Sequence, residues 1–232
     1  MKTMKTKAFA IAVSSLLLIW ASYSCSQDKK PAAKEAEDVL TELEQEEPEP
    51  GLKYYGIRSG IIEYKHSGQR TGTSILYFDR YGHRSATYSD MIMNGQPEKT
   101  WAFSMDDMQY IYKEGSMQGM KMKNPLTEKL TKVKDLEKFT EEIYNQMGFK
   151  PAGTESYQGK ECRVFKGEMG KVLVWNGLLM YMEMNVMGTT VKQEAVKVDV
   201  NTRVKPSVFD LPGDVTFTEM PAMGGMKTQD NE

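Results

Sequence analysis

From position 53 onward, apolar and polar residues alternate in short runs rich in aromatic and β-branched side chains, broken by glycine or polar turns. Alternation with period two is the mark of strands that bury one face, and such runs joined by short turns predict antiparallel neighbours. The pattern predicts strands over 55–66, 72–80, 83–93, 99–105, 108–114, 161–167, 171–176, 178–187 and 189–201. RYGH and NGL read as hairpin turns, and so does SMDDMQ, where Asp106 and Asp107 fit a solvated turn. Asp79 and Arg80 in YFDRYG read the same way. Connections this short permit sequential antiparallel pairing and forbid parallel crossovers between neighbours.

One segment breaks the alternation. In 125–148, Leu126, Leu130, Val133, Leu136, Phe139, Ile143 and Met147 recur at three- and four-residue spacing, which predicts an amphipathic helix. Pro125 suits its first turn, Asp135 is placed to cap a second segment, and Gly148 followed by Pro151 marks the stop. The expected fold is mainly β within the α+β class: a curved antiparallel sheet or half-barrel of about nine or ten strands, with one or two helices inserted on the concave face. Ten strands at roughly 4.8 Å make a sheet nearly 50 Å wide, whereas a helix covers a stripe of about 10–12 Å. The surplus apolar face must curl over side chains, pack on another layer or enclose a ligand. The runs ILYFDRYGHRSATYSDM and VLVWNGLLMYMEMNVM share one outline, strand, tight turn, long strand, which suggests two similar meanders on either side of the helix.

The first 52 residues follow a different pattern. Lys2, Lys5 and Lys7 precede the apolar run Ala8 to Ala21, and Ser24 precedes Cys25, the layout of an export signal over 1–24. A fourteen-residue run at 1.5 Å per residue reaches about 21 Å, short of the roughly 30 Å hydrocarbon core, so cleavage is expected rather than permanent spanning. The segment resembles the bacterial lipoprotein signal, which implies a diacylated Cys25 at the mature N-terminus. Ser22 and Tyr23 depart from the usual box before the cysteine, so ordinary cleavage nearby stays open as an alternative. Acyl chains would give stable anchoring, since each buried CH₂ contributes about 0.8 kcal/mol and one chain alone is marginal. Ser26, rather than Asp, follows the cysteine, which by the enteric sorting pattern implies the outer membrane rather than inner-membrane retention; a domain facing the periplasm is the separate expectation.

Charge separates the next stretch from the domain. Residues 26–50 hold nine acidic side chains against Lys29, Lys30 and Lys34, with few large apolar residues, so 25–52 is expected to be a flexible tether after the lipidated cysteine. Residues 51–232 carry 24 basic and 23 acidic side chains, a balance that leaves no electrostatic footprint for nucleic acid. Within them we expect one domain over 53–218 and a Met-containing tail over 219–232. Cys162 is the only cysteine besides Cys25, which excludes an internal disulfide once Cys25 is acylated; its alternation with Val164 reads as a small buried hydrophobe.

The domain resembles the lipoprotein carrier and receptor superfamily (LolA/LolB-like) and mycobacterial lipid-binding lipoproteins of that shape. The likeness is carried by GTESYQGKECRVFKG, KVLVWNGLLMYMEM and EAVKVDVNTRVKPSVFDLP, in that order, and spans about residues 54–217. It implies a curved sheet with helices on its concave face and a lipid or lipoprotein ligand, with no specific catalytic residues.

The chain has eighteen methionines, and three readings of them compete. Thioethers fill irregular cores; they also make deformable walls for lipid, and they select Cu(I). Met180, Met182 and Met184 alternate on one strand and share a face; Met117, Met120 and Met122 form a second cluster, and Met220, Met223 and Met226 a third. Only His66 and His83 are present to complete a copper site, both near predicted turns. No G-x-S-x-G elbow, phosphate loop, dinucleotide fingerprint or HExxH helix occurs, so no enzyme, cofactor or metal centre is expected. The expected function is reversible binding of a lipid or acyl chain by a membrane-anchored protein. Phe78, Trp101, Phe103, Trp175, Met180, Met182 and Met184 are the candidate ligand-binding residues. A Met-rich Cu(I) carrier and an envelope interaction module are the alternatives.

Overall fold

A computed structural model describes residues 53–93, 95–124, 126–127, 135–186 and 188–220. Cys25, the signal, the tether through residue 52, and Met223 and Met226 lie outside the described residues. The alternating runs fold as strands of one sheet: β1 (Gly60–Gly68), β2 (Arg70–Asp79), β3 (Arg84–Met93), β4 (Gln96–Met105), β5 (Met108–Lys113), β6 (Gln118–Lys123), β7 (Lys150–Tyr157), β8 (Lys160–Gly167), β9 (Gly170–Trp175), β10 (Leu178–Val186), β11 (Thr189–Val200) and β12 (Thr216–Glu219). Their spatial order is β12-β6-β5-β4-β3-β2-β1-β11-β10-β9-β8-β7, a curved, unclosed half-barrel. Two antiparallel meanders, β1 to β6 and β7 to β11, are joined by the β1–β11 pair.

Among the described residues there are twelve strands rather than nine or ten. The additions are β6, β7 and β12. β7, KPAGTESY, is exposed along nearly its whole length at a sheet edge, so no apolar alternation announces it. Pro151 and the irregular pairing between Pro151 and Thr154 suit an edge that must not recruit another strand. β12 pairs parallel to β6, which a long crossing segment rather than a hairpin makes possible.

Helix α1 (Leu136–Gln146) begins where Asp135 Oδ1 accepts the backbone N–H groups of Glu137 at 2.9 Å and Lys138 at 3.2 Å, the cap expected from the sequence. It docks through Tyr144, stacked on Phe165 at 4.8 Å, and through Arg163, which donates to Glu141 at 2.9 Å and to the Glu137 carbonyl at 3.1 Å. Phe139, Met147 and Phe149 are buried with it.

The register shows which residues share the helix's face. Reading across the strands, Phe165, Val172, Met182, Gln193, His66, Gly72 and Met91 lie opposite one another in a single row. The next rows on that face carry Ser74, Ser89 and Thr100, then Val198, Ile62, Leu76, Thr87, Ala102, Ile111 and Met120. Gly72 has φ +142°, and a Cβ there would fall 2.2 Å from the Asp90 carbonyl oxygen, so the row has a gap between His66 and Met91.

The opposite face is closed by the chain itself. After β11, residues 201–215 cross β1 to β6 and bury Val204 and Phe209 against Ala86 and Phe103, with Ile61, Tyr77, Trp101, Tyr110 and Tyr112 packed around them. Asn201 N–H donates to the Ser59 carbonyl, and Ser59 Oγ to the Thr202 carbonyl, each at 2.8 Å, which fixes the start of this strap. Asp79 is not a solvated turn residue: it is 5% exposed and accepts two bonds from Arg84 Nε, at 2.9 and 3.1 Å, and a further bond from Arg84 Nη2. That pair holds the guanidinium 4.5 Å over the Phe209 ring. At the far end Phe217 of β12 meets Tyr110 edge-on at 5.3 Å; a Cβ at Gly119 would come within 2.6 Å of the Phe217 ring.

Candidate functional site: the trough under the helix-bearing face

On β3 and β4 the middle of the helix-bearing face is built from Ser85, Thr87, Ser89, Thr100, Ala102 and Ser104, all small, with the pair Met91 and Glu98 beyond them at one end. The other face of the same strands carries Tyr88, Trp101 and Phe103. Small side chains leave this surface low, a shallow trough whose apolar positions are Leu76, Met91, Ile111, Met120 and Met122. From β2 to β6 this floor spans four strand spacings, about 19 Å.

The two ends of the trough differ. At one end Tyr55 packs edge-on against Phe78 at 4.8 Å, and the segment carrying it ties two hairpin turns together. Tyr54 N–H and Tyr55 N–H both donate to the Tyr81 carbonyl at 3.0 Å, and Gly56 N–H donates to the Asn176 carbonyl at 2.9 Å. Asn124, 6% exposed, donates through Nδ2 to Ser104 Oγ at 3.1 Å beside them. Burial pushes the Tyr55 hydroxyl up to about 12 and raises Tyr64 and Tyr144 as well, the mark of a dry environment where helix, segment and sheet meet. Tyr64 satisfies its hydroxyl by donating to the Leu179 carbonyl at 3.0 Å.

The other end is polar. His66 Nε2 and Ser74 Oγ are hydrogen-bonded at 2.7 Å, and Gln193 stands opposite His66 in the β1–β11 register. Burial, with the Arg70 charge adding to it, brings the His66 imidazole down to about 4, so it is neutral at pH 7. As the sequence reading has it, His66 belongs to a strand near its turn: it lies in β1, two residues before the strand ends at Gly68.

The seven predicted residues divide between the faces. Phe78, Met180, Met182 and Met184 fall on the helix-bearing face; the first three are 0, 0 and 4% exposed, and a bulge beside Met180 lets it join that face with Met182. Trp101 and Phe103 stack on each other at 5.7 Å on the strapped face. Trp175, at odd spacing from Val172 and Val174, faces the side opposite theirs and carries Lys160 Nζ 4.1 Å above its ring. Sequence reasoning missed Ser74, Thr87, Ala102, Ser104, Gln193 and Met91. For Thr87, Ala102 and Ser104 the signal was present in SATYSD and TWAFS, where every second residue is small.

The methionine cluster at 117–122 is not gathered into one site. Met120 and Met122 share the trough face of β6, while Met117 precedes that strand and is 71% exposed. Cys162 is fully buried, and burial raises its thiol pKa, as a packing residue requires.

No protein-family model matches the chain, and no curated protein matches it. Among solved structures it is similar to an uncharacterized conserved protein from Thermus thermophilus, at 7% identity and TM-score 0.45, covering 69% of this chain and 90% of that one. It is similar to PNGF-II at 15% identity and TM-score 0.37, covering 70% of this chain and 32% of that one, so it spans about a third of that protein's length. LprF from Mycobacterium bovis matches at 9% identity and TM-score 0.32, over 66% of this chain and 90% of that chain. Likenesses of this strength carry no argument about chemistry, and the functional reading rests on the two faces of the sheet.

Proposed function

We propose that this chain is a lipid-anchored envelope protein, non-enzymatic, that binds an acyl chain reversibly in the trough. The observation that carries the reading is the asymmetry of β3 and β4: bulky aromatics lie under the strap, and serine, threonine and alanine face the helix side. Methionine walls, here Met91, Met182 and Met120, adapt to a mobile chain because thioethers are unbranched and polarizable. A sixteen-carbon chain leaving water gains on the order of 12 kcal/mol before ordering losses. A membrane offers the chain nearly the same gain, so uptake near a bilayer is reversible, as carriage or sensing needs. Anchoring through Cys25 would keep the trough within a tether length of that bilayer.

The test is native mass spectrometry of the purified protein, before and after incubation with palmitate. Retained or saturable one-to-one lipid, lost in Ala102→Trp, is the expected result. If neither sample of the wild-type protein carries lipid, the reading is wrong.

A further inference from the structure

Gln193 is 2% exposed, and its Oε1 has no hydrogen-bond partner. Leaving a buried acceptor unpaired costs about 1–3 kcal/mol, so a sheet with no use for one would place a leucine or valine there. Its row neighbours, Phe165, Val172, Met182 and Met91, are all buried apolar side chains, with His66 as the other polar member.

The pair beside it has a complementary capacity. A neutral imidazole offers one N–H donor and one acceptor nitrogen, and a serine hydroxyl one donor and two acceptor lone pairs. With one hydrogen bond used between His66 and Ser74, the pair still has a donor to give. Gln193 Oε1 has only acceptance to give. Together they suit a group that donates one hydrogen bond and accepts another, which is what a hydroxyl does. The Arg70 guanidinium, close enough to bear on His66, suits a neighbouring carbonyl oxygen of the same head. A bare carboxylate would set its negative oxygen against the Gln193 acceptor.

We propose that His66, Ser74 and Gln193 form the seat for the polar end of an amphiphile whose acyl chain occupies the trough, and that this seat selects a hydroxyl-bearing head, as in an acylglycerol. The inference rests on the acyl-chain reading above. Met182 stands beside Gln193 in the register and Met91 across Gly72 from His66, and unbranched thioether chains swing aside at little cost when a head enters. The order along the ligand then follows the register: head at the hairpin end with His66, tail across the trough floor over Leu76, Ala102, Ile111 and Met120.

Displacement of a fluorescent acyl probe from the full mature protein by 1-monopalmitoylglycerol, palmitate and methyl palmitate tests this. We expect monopalmitoylglycerol to bind about tenfold more tightly than methyl palmitate, which lacks the donor. The preference should vanish in Gln193→Leu, with methyl palmitate binding unchanged or improved, and should shrink in Ser74→Ala. Equal affinity for monopalmitoylglycerol and methyl palmitate, tightest binding by palmitate, or a preference that survives in both variants overturns the seat while leaving the trough intact. Failure of every compound to bind overturns the acyl-chain reading itself, and the seat with it.

Discussion

Strands β3 and β4 are asked to do different things on their two sides. On one side Trp101 and Phe103 pack with the strap's Val204 and Phe209, Tyr88 leans on Trp101, and Phe209 lies against Ala86 and under the Arg84 guanidinium. On the other, Thr87, Thr100, Ala102 and Ser104 are small and rise little above the sheet. The strapped side has its occupant built in, as a covalent part of the chain, and its aromatic packing fixes one arrangement. The trough side commits few side-chain atoms to itself, which is what a surface kept for an exchangeable ligand requires. Stability should therefore be concentrated on the strapped side, and ligand sensitivity on the trough side.

The largest expected effect breaks the strap. Phe209 is 3% exposed, and Phe209→Ala should lower the unfolding free energy by about 3–5 kcal/mol, read from the urea midpoint, through lost burial and the cavity left behind. A cost below about 1 kcal/mol would mean that the strap is an accessory, and the contrast between faces would weaken.

A smaller effect belongs to the trough end. The folded state holds His66 near 4 against an unfolded value of about 6.5, so its contribution to stability is complete above pH 6.5 and is lost as pH falls from there toward 4. Allowing for solvent screening, that loss is about 1–2 kcal/mol. Unfolding midpoints of wild type and His66→Leu between pH 7 and pH 4.5 should differ by this pH-dependent amount. Parallel curves for the two proteins would show that the imidazole is not held neutral.

Much of this architecture is legible in the alternation of residues, because a strand that buries one face must repeat every second position; nine of the strands follow from that rule, and the helix stop follows from Gly148, which takes φ +85°. Asp135 was readable as a cap for the same local reason. β7 was not, since an exposed edge strand buries nothing and leaves no periodic trace, and neither was β12, four residues placed by a long crossing of the sheet. The candidate site was half legible. Alternation told that Met180, Met182 and Met184 share a face with one another, and that Trp101 and Phe103 share one, but nothing local told which face the helix would take and which the strap. Asp79 shows the same limit: its neighbours look like a turn, and only the pairing of β2 with β3 sets Arg84 opposite it and buries the pair.

Ala86 and Ala102 form a matched pair for the central claim, since they lie on adjacent strands and face opposite sides. Replacing each in turn by phenylalanine and measuring urea unfolding of the ligand-free protein asks directly whether one side is full and the other open. Ala86, fully buried beneath the strap, should respond with a loss of about 3 kcal/mol, whereas Ala102→Phe should cost less than about 1 kcal/mol because the trough receives the ring. Equal losses at the two positions would contradict the account, for both faces would then be packed alike and no space would remain for a ligand.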